Sequence, residues 1–210
     1  MKKIYFVRHG ESEGIVGSIR GDTTTPLTEH GRNQSKMIAK YFAHIRIDRL
    51  ICSPLERTKQ TAEIISTEIG VPIEYSDLFV ERRRPSHFYG KSKNDPEALE
   101  FKENYEKNFH LPNFRFADEE NFEDLKARAG EALAYLASRS EEHILVVTHG
   151  YFMRIVGAHI LNGDMLTGEQ CAKYVATHHM DPTGMTIATY DESKENTWSL
   201  EVWNDNTHLN

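Results

Sequence analysis

Two short apolar runs in this chain end the same way. Ile4-Tyr5-Phe6-Val7 leads into Arg8-His9-Gly10-Glu11, and far downstream Ile144-Leu145-Val146-Val147-Thr148 leads into His149-Gly150. Brief apolar runs closed by a glycine turn have the pattern of buried strands. In open α/β sheets, ligands bind outside the carboxyl ends of the strands. Two parallel strands that both finish in His-Gly therefore bring two imidazoles to one edge, where ligands are held. A histidine next to an arginine at such a place suits an oxyanion better than it suits packing.

The rest of the chain alternates in the same sense. Strands are expected at 3–7, at Arg49-Leu50-Ile51-Cys52, at the proline-bearing edge segment 71–75 and at 143–148. Between them fall helical stretches. One opens at Thr28 as N-cap and runs to about residue 44, with Ala39, Tyr41 and Phe42 among its core candidates. A second starts at Ser53-Pro54, a third covers 122–139 with Leu125, Ala129, Ala132, Leu133 and Leu136 inward, and a fourth covers about 151–161. Met185–Tyr190 and Trp198–Trp203 alternate like two antiparallel strands. Residues 10–28 are expected to be a long loop at the carboxyl end of the first strand. Residues 82–121, basic and aromatic with a helix near 96–108, are expected to be an insertion or lid over the carboxyl edge. The fold class is α/β, a mainly parallel central sheet flanked by helices, in one domain over residues 1–210.

Composition narrows the partners. The chain has 210 residues, 39% of them hydrophobic and 27% charged, enough to bury a core and too apolar for disorder. A net charge of -7 argues against a general nucleic-acid or anionic-membrane binder. The two cysteines, Cys52 and Cys171, make no disulfide framework. The amino terminus has no signal-peptide core and no segment approaches a membrane span, so a cytoplasmic location is expected. His178-His179 with Asp181 fits no strong metal-ligand spacing and is expected to be polar loop.

A third motif extends the pair of histidines. Ser53-Pro54-Leu55-Glu56-Arg57-Thr58 lies where a helix follows a strand, so Arg57 can reach the same edge. Helix N-termini favour anions, and an arginine there adds a bidentate fork. Two histidines and two arginines around one small volume suit a tetrahedral oxyanion such as phosphate, and can neutralise charge on a transferring phosphoryl group.

With these motifs in place the chain resembles the histidine phosphatase, or phosphoglycerate mutase-like, superfamily. The resemblance rests on Arg8-His9-Gly10-Glu11-Ser12, Pro26-Leu27-Thr28-Glu29-His30-Gly31, the helix from Ser53 to Ala62, Thr148-His149-Gly150 and the end from Asn204 to Leu209. It spans nearly the whole chain. It implies that His9 is the nucleophile, forming a phosphohistidine, and that Arg8, Arg57 and His149 hold the phosphoryl oxygens. It implies that Glu81 is the general acid, protonating the leaving alcohol and then activating water. No metal or organic cofactor is implied. Arg20, Arg82 and Gly150 are further candidates for substrate binding. Two departures stand out. Ile15 replaces the asparagine that the family often places on phosphate, and Arg82-Arg83-Arg84-Pro85-Ser86 replaces a glycine and aromatic-acidic pattern after the acid.

The expected activity is hydrolysis of a phosphomonoester on a small phosphorylated metabolite. The alternative is a cofactor-dependent phosphoglycerate mutase; mutases of this family are typically longer, with a larger insertion. A phosphoprotein phosphatase would favour an open cleft. A silent phospho-ligand module would predict the loss of a catalytic residue, yet Arg8, His9, Arg57, Glu81 and His149 are all present.

Overall fold

The chain folds in a computed structural model, describing residues 1–195 and 197–210, as one mixed six-stranded sheet in the order β3-β2-β4-β1-β5-β6. The strands are β1 (Lys2–Arg8), β2 (Arg49–Cys52), β3 (Ile73–Tyr75), β4 (His143–Thr148), β5 (Met185–Tyr190) and β6 (Trp198–Asp205). The first four pair in parallel, while β5 and β6 return antiparallel at the far side of β1. The two runs that end in histidine are neighbours. β1 and β4 pair in a register that sets Arg8 opposite Thr148, and His9 N–H donates to the Thr148 carbonyl at 3.0 Å.

Alternation along each strand sends side chains to two cores. Tyr5, Val7, Leu50, Cys52, Leu145 and Val147 face one side. There they meet α2 (Glu29–Phe42) and α3 (Glu56–Ile69). Ile4, Phe6, Ile51, Ile144 and Val146 face the other. This side is covered by α4 (Pro96–Asn108), α5 (Phe122–Ser138), α6 (Gly150–Asn162) and α7 (Gly168–Thr177). Thr28 caps α2 by accepting the Gly31 N–H at 2.9 Å. All five residues expected on the inner face of α5 are buried.

Three details differ from the expected elements. The loop 10–28 carries a short helix, α1 (Glu13–Val16). The helix after β2 begins at Glu56, not at Ser53-Pro54, because the chain stays extended through Leu55, which stands at the N-cap without a side-chain cap. Helix α7 was not expected at all, although Thr167-Gly168-Glu169-Gln170 forms a capping box at its start. Among the described residues, no helix is long and apolar enough to cross a membrane. Both cysteines are buried and free.

Candidate active site

The carboxyl ends of β1, β2 and β4 open into a cavity of about 510 Å³. Its walls include Arg8, His9, Arg57 and Glu81. His9 sits at the tip of β1, buried, and its ring is fixed from both sides. Nδ1 lies 2.7 Å from the Gly10 carbonyl. A carbonyl only accepts, so Nδ1 carries the proton. Nε2 is then the free lone pair, and it accepts the Arg57 Nε–H at 3.1 Å. Burial, then the charges of Arg57 and Arg8, hold the His9 pKa well below the ordinary imidazole value. The ring is thus neutral at neutral pH, the state that a nucleophilic nitrogen requires.

His149, 0% exposed, lies behind it, with ring centroids 5.2 Å apart in an edge-to-face arrangement. Its Nε2 is 2.8 Å from the Ser53 hydroxyl. That hydroxyl has no other acceptor among the described residues, so it donates to Nε2 and leaves the proton on Nδ1. Nδ1 is buried without a partner. Burial first, then Arg57 and His9, lower the His149 pKa well below its ordinary value. A neutral N–H with no acceptor, beside His9, suits a phosphoryl oxygen.

The two arginines are held by backbone. Arg8 Nη1 donates to the Met180 carbonyl, and Arg57 Nη1 to the Asp22 carbonyl at 2.9 Å. Desolvation lowers the pKa of both, but a guanidinium remains charged. Glycine at 150 makes room for Arg8: a Cβ there would sit 3.0 Å from Arg8 Nε. The carbonyls of Arg8 and His9 share the Thr183 N–H at 3.1 and 3.3 Å. Thr183 makes that contact in the left-handed region, at φ 58, a costly conformation for a β-branched residue.

Glu81 faces the cavity from the segment after β3. Its Oε1 accepts the N–H groups of Arg82 and Phe152, each at 3.0 Å, and its Oε2 accepts that of Tyr151 at 3.3 Å. The carboxylate therefore lies across the N-terminal turn of α6, where the helix favours an anion. His9, Arg8, Arg57 and Glu81 are brought to the cavity wall, with His149 directly behind. Arg82 also reaches the wall, but its guanidinium is packed against the rings of Tyr105 at 3.8 Å and Tyr151 at 5.0 Å. Arg20 is not among the wall residues; its Nη2 donates to the Lys93 carbonyl at 3.2 Å and ties the loop to the insertion. Gly150 serves as the spacer under Arg8 and is not on the wall either. Ile15 lines the cavity where the family often has asparagine, so that position offers no side-chain donor. Arg83, Arg84, Ser12 and Tyr89 complete much of the wall.

Some partners gave no sequence signal, among them the carbonyls of Met180 and Asp22, which any residue type supplies. Ser53 did give one, since it ends β2 at the same edge, but a serine before proline reads equally well as a helix cap. Among the described residues no three potential metal ligands cluster. The His178 ring instead stacks on Tyr174 at 3.7 Å.

Comparison with known proteins bears on the fold and the family. The uncharacterized phosphatase PhoE of Bacillus subtilis (strain 168) is 28% identical over 211 residues, covering 100% of this chain and 97% of that protein. A phosphoserine phosphatase variant from Entamoeba histolytica, crystallised with phosphoserine, superposes with a TM-score of 0.78 at 23% identity over 100% of both chains. The alpha-ribazole phosphatase of Shigella flexneri superposes with a TM-score of 0.79 at 18% identity, over 97% of this chain and 96% of that one. At these identities the two solved structures bear on the fold alone. The model of the histidine phosphatase superfamily (branch 1) matches residues 4–206, and the chain belongs to that superfamily.

Proposed function

We propose that this chain is a phosphomonoester hydrolase that acts on a small phosphorylated metabolite through a phosphohistidine at His9, without a metal. The observation that carries the reading is the fixed tautomer of His9, proton on Nδ1 toward Gly10 and lone pair on Nε2 toward Arg57. An entering phosphoryl oxygen takes over the Arg57 N–H and frees that lone pair for phosphorus. On binding, Glu81 takes the proton of the substrate's phosphoryl monoanion; Nε2 then attacks, the P–O bond to the alcohol breaks, and the leaving oxygen takes that proton from Glu81. Arg8, Arg57 and the Nδ1–H of His149 face the charge that builds on the phosphoryl oxygens. Glu81, now a carboxylate, takes a proton from water; the oxygen adds to phosphorus, the P–N bond breaks, and phosphate leaves with His9 restored.

The cavity also favours a particular kind of alcohol. Arg83 and Arg84 line it, exposed, and neither forms an ion pair among the described residues, whereas Arg115, Arg128 and Arg139 all do. Two cations without an ion-pair partner suit a substrate with a second anionic group, on a wall that also carries Asp22, Asp77 and Asp118. A cytoplasmic site of action, with no nucleic acid or membrane as partner, is consistent with the net charge of -7 and the free cysteines.

The test is turnover of a phosphomonoester panel with chelator present, in the parent chain and in His9→Ala. The panel includes esters with and without a second anionic group, and 3-phosphoglycerate with and without 2,3-bisphosphoglycerate. Released phosphate that falls by about 10³-fold or more in the variant is expected. Isomerisation stimulated by the bisphosphate, with little free phosphate, would make the chain a mutase instead.

A further inference from the structure

One buried ion pair grips the segment that carries Glu81 on both sides. Arg128 projects from α5 and is 8% exposed. Its Nε and Nη2 hold the two carboxylate oxygens of Glu120 at 2.7 and 2.8 Å. Its Nη1 donates to the carbonyls of Leu78 at 3.1 Å and Val80 at 2.8 Å, just before the acid. Glu120 accepts the Arg83 N–H at 2.8 Å, just after it, and returns its own N–H to the Arg83 carbonyl at 3.0 Å. The Arg128 guanidinium also lies 4.1 Å from the ring centre of Phe152, whose N–H holds Glu81 Oε1. The peptide on each side of Glu81 and the helix turn that holds its carboxylate therefore meet at one ion pair, Arg128 on the near side and Glu120 on the far side.

We propose that Arg128 and Glu120 are a positioning pair that fixes Glu81 for proton delivery to the leaving group; this rests on Glu81 being the general acid. Stability alone is a weak reason for such a pair. Desolvating two charges offsets most of their attraction, and apolar residues of the same volume often stabilise a core as well. Directional geometry is a stronger reason. Only a planar fork satisfies a carboxylate with two nitrogens and two carbonyls with the third. Glu120 also ends the insertion, next to Asn121, the N-cap of α5, so the insertion and the acid segment are anchored at the same point.

The test compares a poor leaving group, phenyl phosphate, with a good one, p-nitrophenyl phosphate, which needs little protonation. In Arg128→Lys, kcat on phenyl phosphate is expected to fall about tenfold or more, and on p-nitrophenyl phosphate less than about threefold. In a Glu81→Gln background the same change is expected to add less than about twofold, because the group it positions is gone. Glu120→Gln keeps the contact with the Arg83 N–H but not the charge, and carries the same comparison if Arg128→Lys does not fold. Equal losses on the two substrates, or a full further loss in the Glu81→Gln background, would show a structural pair only and overturn the proposal. If Glu81→Gln itself slowed both substrates equally, the acid assignment would fall, and the proposal with it.

Discussion

His9 and His149 give the fold a titration signature of their own. Both are buried beside Arg57, and both have pKa values held well below the ordinary histidine value. An unfolded chain returns each imidazole to a pKa of about 6.5, so below that pH the unfolded state binds protons that the native state refuses. Their contribution to stability is complete above pH 6.5 and is lost as pH falls from there toward the folded values. His159 and His208 shift in the same direction, chiefly through burial. Stability by urea denaturation should therefore decline between pH 7 and pH 5. Each histidine still unprotonated in the folded state contributes at most about 1.4 kcal/mol per pH unit to that slope. His9→Ala removes one such group and should flatten the decline. Parallel curves for the parent and the variant would mean that His9 takes up its proton over the same range folded as unfolded, and that burial beside Arg57 and Arg8 does not depress it.

At the scale of elements, the contact that sets His9 is made between two glycines. A Cβ on Gly31, in the first turn of α2, would lie 1.9 Å from the Glu11 carbonyl oxygen, and a Cβ on Gly10 would lie 2.4 Å from that of Gly31. Backbone meets backbone, so no side chain can swing aside. Gly31→Ala should push the loop that begins at Gly10, whose carbonyl fixes the His9 tautomer. The expected cost is about 1–3 kcal/mol of stability, with a loss of kcat on p-nitrophenyl phosphate beyond anything the fraction unfolded explains. Gly70, which ends α3 at φ 71 far from the cavity, provides the control. Gly70→Ala should cost about 1–2 kcal/mol through its left-handed backbone and leave kcat unchanged. Matching kcat in the two variants would remove the link between the α2 contact and catalysis. The same elements show what can be read from sequence. β1, β4 and the approach of His9 to His149 are legible because an apolar run ending in His-Gly leaves few alternatives. Arg57 is legible because Ser-Pro announces a helix just after a strand, yet the first residue of α3 is not, since the chain stays extended through Leu55 and no side chain caps the helix. The hold of Met180 on Arg8 is invisible, because it is made by a carbonyl whose direction depends on how the chain turns near Thr183.

At the scale of the whole molecule, the question is whether residues 82–121 form a lid that moves on its own. The packing argues for a part of the body. Phe101 and Tyr105 of α4, with Phe88 and Phe109 on either side of that helix, are buried in the same core as Ile4, Phe6 and Val146 of the sheet. Phe101 contacts Phe88, Tyr105 and Phe116 with ring centroids 5.1–5.9 Å apart. Phe109 meets Phe122 of α5 at 5.7 Å, and Tyr105 shares a hydroxyl hydrogen bond of 2.9 Å with Tyr151 of α6. Truncating Phe101 to alanine should cost about 3–5 kcal/mol, a large share of the 5–15 kcal/mol typical of a domain. Both tryptophans, Trp198 and Trp203, lie in β6, the edge strand beyond β5, outside the insertion. Their fluorescence therefore reports on the body of the sheet. In Phe101→Ala, the urea midpoint seen by tryptophan fluorescence should drop together with the one seen by far-ultraviolet circular dichroism, in a single transition. A tryptophan midpoint that stayed at the parent value while part of the helical signal melted early would instead make 82–121 an independent lid. The insertion would then no longer be a rigid anchor for Glu120, and Glu81 would have to be positioned by α6 alone.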